Sequence, residues 1–249
     1  MILRRVIKHF RHQEWTAIFL DFLIVVFGVL IAFQITTWNE FRQSLRDETI
    51  LLERLRVDFA QIEDSVRDST TFHRDALDGM QIIVDALNTQ RLTPEKVEPF
   101  ERGLRFGSIY WTSHDRSGIF IEALSSGKSS LIRDENLLNT LVDYNSMIDQ
   151  MELGFSTNRA IQIEYIRDFT THFDYDTSAD YVYFGKEFPI SAIGEYDFKN
   201  MVQDKKFRDA AYELRETQRY YLNWRTNVLN RVQAIRRLLG DEQLVEKTP

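Results

Sequence analysis

Between Trp15 and Trp38 (WTAIFLDFLIVVFGVLIAFQITTW) the only ionisable side chain is Asp21. A carboxylate at a bilayer centre costs about 2.5–3.5 kcal/mol on insertion scales. Asp21 sits only six residues inside Trp15, roughly 9 Å by helix rise, where that cost is smaller. Three readings fit it: hydration or pairing with a basic flank near an interface, a polar contact between helices, or proton carriage with a partner channel. The bland first reading carries the most weight. Asp21, Gly28 and Ile35 repeat every seven residues, and Gly28, Ala32 and Thr36 form a small-xxx-small row beside them. Such a face permits close helix approach in a membrane.

Other chemistry-bearing groups are weaker. Asp174, Asp176, Ser178 and Asp180 alternate as oxygen ligands of a calcium loop do, but Ala179 replaces the loop glycine and Gly185 the closing glutamate. A solvated acidic loop is the better reading of Asp174, Asp176 and Asp180. Its neighbours Tyr175, Tyr181, Tyr183, Phe184 and Phe188 suit a membrane surface or the base of a helical domain. Ser126-Gly127-Lys128-Ser129 ends as a phosphate-cradling loop ends, yet Glu122 stands where the first glycine belongs. Gly127 is better read as the residue closing a short helix near 117–126, with Asp134 capping the next. His9 and His12 belong to a basic tail, while His73, His114 and His172 show no metal-binding spacing. Trp111, His114, Asp115 and Arg116 cluster in a segment that an ordinary turn explains as well as a binding site does. With no cysteine there are no disulfides, thiolate metal sites or cysteine nucleophiles. No cofactor, metal or enzymatic activity is expected.

The elements that position these groups follow from periodicity. The 15–38 run spans roughly 36 Å as a helix, enough for a hydrocarbon core of about 30 Å. Trp15 and Trp38 sit where interfacial anchors belong. The run is too long for a signal-peptide core and lacks a small-x-small exit site, so it reads as an uncleaved anchor. Arg4, Arg5, Lys8 and Arg11 precede it against Glu14 alone, which places residues 1–14 in the cytoplasm by positive-inside bias. The chain's net charge of −7 is therefore more than concentrated in the remainder, an acidic balance that argues against nucleic acid as a partner.

Prolines at 94, 99, 189 and 249 and most of the ten glycines mark two breaker-rich windows, 93–127 and about 174–200. Three breaker-poor segments remain, 40–92, 134–173 and 200–239. The first carries a seam at spacings of three and four from Phe41 through Leu45, Leu55, Phe59 and Val66 to Leu87. The second repeats it from Leu137 to Phe155, and the third from Phe207 to Leu239, with Arg236, Arg237 and Gly240 as a C-terminal signature. The expected fold is all-α. One transmembrane helix (15–38) continues into an extracytoplasmic antiparallel bundle over 39–240, in preference to a parallel coiled coil between subunits. In that layout 93–133 caps the far tip, 174–200 forms a membrane-proximal loop, and 241–249 is a tail.

Two stretches, LIVVFGVLIAFQITTWNE and ALSSGKSSLIRDENLLNTLVDYN, resemble an uncharacterised family of small bacterial single-span membrane proteins. The resemblance covers most of the chain in layout. It implies a bacterial inner-membrane location, with the C-terminal part periplasmic or extracellular. It implies no catalytic residue, and Asp21 occupies the place where family members often carry an acidic residue. The reading is a single-pass interaction, scaffold or sensory component, facing the lipid bilayer and either a second copy or another membrane protein. A proton-coupled energising subunit using Asp21 and a small-ligand sensor are the alternatives.

Overall fold

The computed structural model describes residues 14–183 and 186–241, with side chains described over 19–178 and 191–241. The basic flank 1–13, Phe184, the side chains of Trp15, Tyr181, Tyr183 and Phe188, and the tail 242–249 lie outside that description. The chain is mostly helical and divides into two compact units, Met1–Glu53 and Arg54–Pro249. The division falls inside one continuous helix, α1 (Glu14–Thr89), not at its exit from the apolar run.

The described part of the first unit is helix alone. From Phe19 it is long and apolar enough to cross a membrane, and no part of its apolar window is buried. The hydroxyls of Thr36 and Thr37 bond back to Ala32 O (3.1 Å) and Phe33 O (3.0 Å), so they need no outside partner. The seam positions Phe41 and Leu45, expected as core, are exposed here.

In the second unit the seam becomes a core. Leu55, Phe59, Ile62, Val66, Ser69, His73, Ala76, Met80, Ile83 and Leu87 are all buried. α1 ends with Gln90 at φ 53° and Arg91 N donating to Ala86 O (3.1 Å), a Schellman closure with glutamine where glycine is usual. A 3-10 turn (Pro94–Lys96) then leads into α2 (Val97–Phe106). α2 crosses α1 backbone to backbone: a Cβ on Gly103 would lie 2.6 Å from the Gly79 carbonyl group. A turn at 107–108 and the non-helical segment 109–117 lead to α3 (Gly118–Ser125), closed by Gly127 at φ 73°. A second 3-10 turn (Lys128–Leu131) precedes α4 (Glu135–Phe169), which Asp134 caps by accepting from Asn136 N (2.9 Å) and Leu137 N (3.1 Å). After a β-hairpin and the short α5 (Phe198–Gln203) comes α6 (Lys205–Leu238), which ends at Gly240 with φ 79°.

Paired contacts give the helix directions. Arg56 meets Leu239, Glu63 meets Arg236, and His73 meets Gln218, so α6 runs against α1. The Phe59–Tyr144 ring contact lies toward one end. At the other end Phe169 stacks on Phe207 (5.4 Å) within the cluster that holds Leu87, so α4 runs with α1.

Three expectations change. The 174–200 window is not a loop. β1 (Phe173–Tyr183) pairs antiparallel with β2 (Lys186–Tyr196), so the fold is not purely α-helical. β1 opens on strict alternation, Phe173-Asp174-Tyr175-Asp176, which is a strand signal. The hairpin packs at the α1 end that carries Met80–Leu87, through Phe173, Ile193 and Tyr196. Within the second unit that is the end opposite Arg54. The 93–133 segment is not a tip either: it starts against Gly79, passes Asp58 through Ser117, and reaches Arg54 through Glu122 (2.8 Å). The physical reason is the non-helical run after the 107–108 turn, which passes Ser69 at Trp111, Ser65 at His114 and Asp58 at Ser117, so few residues cover a length that several turns of α1 occupy.

Candidate functional site

The apolar seams of the second unit are interrupted by polar residues that stay in phase. On α1 these are Ser69 and His73, on α4 Gln162, and on α6 Gln218 and Arg225, all buried. Helical spacing of three and four keeps them on the core face, and they converge on one object, the segment 107–117. Gln218 Nε2 donates to Gly107 O (2.9 Å) and Ile109 O (2.8 Å), and Gln162 Nε2 donates to Ser108 O (2.8 Å). Ser69 Oγ donates to Trp111 O (3.2 Å), and Tyr144 OH donates to Asp115 O. Arg225, 1% exposed, bonds to Ser113 Oγ (2.7 Å), the Asp115 carboxylate and the Tyr110 hydroxyl. Its Nε is buried with no partner.

Electrostatics fixes the protonation states. Gln218 turns its amide nitrogen to main-chain carbonyls, so its Oε1 accepts from His73 Nδ1 (2.8 Å). Burial pushes the His73 pKa down to about 4, and the charge of Arg225 adds to that shift, so the ring is neutral at pH 7. Its Nε2 then faces Trp111 O at 3.3 Å without a proton to give. Burial pushes Tyr110 up to about 12 and Tyr221 up to about 12, and Tyr144 also upward. Tyr221 OH donates to Gln162 Oε1 (3.1 Å), which orients that amide. The Tyr110 ring lies 4.8 Å from Phe155 and 4.6 Å from Tyr221. Near neutral pH these groups donate and accept hydrogen bonds in fixed states. They hold the main chain of 107–115 through neutral donors.

The structure distributes the residues singled out from sequence as follows. Asp21, Gly28 and Ala32 are exposed on the described helix of the first unit, and a Cβ added to Gly28 meets nothing within 4 Å. Trp38 is exposed beside Arg42, whose guanidinium lies 5.0 Å from its ring centre. Asp174, Asp176 and Asp180 lie on β1 instead of in a loop, and the Asp180 side chain falls outside the described residues. The Asp176 carboxylate accepts from Ser178 N (2.9 Å) and Ser178 Oγ (2.6 Å). Among the described residues no three His, Cys, Asp or Glu side chains gather as metal ligands. Of the 111–116 cluster, Asp115 turns inward to Arg225, Arg116 pairs with Asp149 (2.7 Å) and Glu152 (2.8 Å) at the surface, and His114 is exposed. A surface groove of about 430 Å³ lies between Val84, Leu87 and Asn88 of α1 and Lys205, Arg208 and Tyr212 of α6.

Sequence reasoning missed Gln162, Gln218 and Arg225. The available signal was phase: Gln218 and Arg225 fall four residues after Leu214 and Tyr221, at seam positions passed over because they are polar. No family model, curated protein or solved structure matches the chain.

Proposed function

We propose that this chain is a single-span protein of a bacterial inner membrane, with residues 1–14 cytoplasmic and the second unit on the outer side. It acts as an interaction, scaffold or sensory component that associates with itself or with another membrane protein, without enzymatic activity. The observation that carries this reading is the contrast within α1. None of its 19–38 stretch is buried, whereas from Leu55 the same helix is the spine of a packed domain. An uncovered helix of that composition is stable in lipid and a liability in water. The open surface at Gly28 supports helix–helix contact inside the bilayer, and the resemblance to single-span bacterial proteins agrees with it.

The reading is tested by carbonate extraction of native membranes and by protease treatment of spheroplasts. Retention in the pellet and digestion of the second unit in intact spheroplasts are expected. Release by carbonate, or protection of the second unit until the membrane is broken, overturns it. A small-ligand sensor keeps a place as the second reading because the groove at Arg208 and Tyr212 falls in the size range of ligand sites.

A further inference from the structure

We propose that the groove formed by α1, α4 and α6 around 107–117 is a recognition groove for an extended peptide segment of a partner protein, with 107–117 as its resident, displaceable occupant. The proposal rests on the interaction-component reading and names the surface and ligand chemistry through which it operates.

Connecting segments usually run over the surface, because buried backbone must be satisfied. This one is satisfied almost wholly from outside itself. Among described residues 108–116 the one main-chain bond between backbone groups runs from Ile109 N to Phe106 O (2.9 Å). The carbonyls of 107, 108, 109, 111 and 115 are instead bonded by side chains of Gln218, Gln162, Ser69 and Tyr144. Side-chain amides and hydroxyls on main-chain carbonyls are indifferent to sequence, so another extended chain can take the same bonds one for one. Thr112 and His114 are exposed, so the segment has an outward face from which it can be peeled.

Displacement also requires that the incoming chain bind better than the resident. The unused donor at Arg225 Nε supplies that margin, since it is buried and the resident segment offers it no acceptor. The groove also defines what must enter. A buried guanidinium cannot be left without a counter-charge, so the ligand carries a carboxylate in the place of Asp115. The gap that Tyr110 fills between Phe155 and Tyr221 takes an aromatic residue five positions earlier.

The experiment uses full-length protein in nanodiscs, a synthetic fluorescent peptide of residues 107–117, and a variant whose 108–116 residues are replaced by a Gly/Ser stretch of equal length. The emptied variant is expected to bind the peptide at least about tenfold tighter than the parent does, because no resident competes. Arg225→Met in the emptied variant is expected to abolish binding. An emptied variant that keeps its helical circular dichroism yet binds no better than the parent overturns the proposal. If emptying prevents folding, the parent's affinity for the 107–117 peptide and for its Asp115→Asn counterpart decides. Binding of the carboxylate peptide at least about tenfold tighter than the amide peptide supports displacement, and equal binding of the two, or none, overturns it. Membrane topology is unaffected by either result, so failure of the groove leaves the spheroplast test of the broader reading intact.

Discussion

His73 is fully buried, and burial lowers its pKa to about 4, so the second unit is expected to lose stability on acidification. In the unfolded chain the ring takes a proton near its ordinary value of 6.5, whereas in the fold it resists until about 4. Between those values the unfolded state holds more protons, so stability falls as pH falls, by roughly 3 kcal/mol over the whole window; above 6.5 the residue contributes no slope. Glu63 acts in the same sense. Burial pushes its carboxyl up, but bonds from Arg236, Gln233 and Arg67 outweigh that and hold it below the usual range, so its contribution is also lost on acidification. His73→Gln removes the titrating ring and keeps an amide beside Gln218. Thermal unfolding followed from pH 7 to pH 4.5 is expected to show a shallower loss in the variant than in the parent, and equal slopes would remove His73 as the sensor. At this scale the site was only half legible. Ser69 and His73 stood in the α1 seam as its polar exceptions, but what they face is main chain, and no side-chain pattern records where an extended segment will pass.

At the scale of elements, legibility followed the strength of the local signal. The Asp134 cap, the Gly127 closure and the Arg236–Gly240 ending are local in sequence and stand in the structure as expected. Directions of packing are not local, so the path of 93–133 and the sense of α4 had to come from contacts. The hairpin was hidden for another reason: Asp174 and Asp176, the polar members of the β1 alternation, also match a calcium-loop spacing with Asp180, and β2 carries Pro189 and no comparable alternation. The crossing of α1 and α2 is the element contact that tolerates least. Gly79 and Gly103 each occupy the space where the other's Cβ would stand, at 2.7 Å and 2.6 Å from backbone atoms. Backbone on both sides cannot yield as a flexible side chain does. Gly103→Ala is therefore expected to destabilise the second unit by about 1–3 kcal/mol despite alanine's better helix propensity. Urea unfolding measures it. A variant as stable as the parent would show that α2 can shift along α1 without loss.

For the whole molecule the question is what one carboxylate does in an apolar run long enough to cross a membrane. The chain places basic side chains before that run and an acidic excess after it, so under positive-inside bias the flanks rather than Asp21 would set its orientation. In an interaction component Asp21 is tolerated near an interface and contributes a contact at most. In an energising subunit it is the group that takes and releases the proton, and no other ionisable residue of 15–38 can replace it. Asp21→Asn separates the two. The amide keeps the size and hydrogen-bonding capacity while removing the charge, and insertion becomes easier because a carboxylate is among the costliest side chains to place in hydrocarbon. Carbonate-resistant membrane protein at parental level is expected, together with full rescue of whatever growth or envelope defect deletion of the chain causes. If the variant inserts normally yet reproduces that defect, the charge itself is the function, and the scaffold reading gives way to proton coupling. Asp21→Glu then serves as the internal control, since a carrier keeps its activity with any carboxylate in reach and a packing contact in a small-residue groove does not.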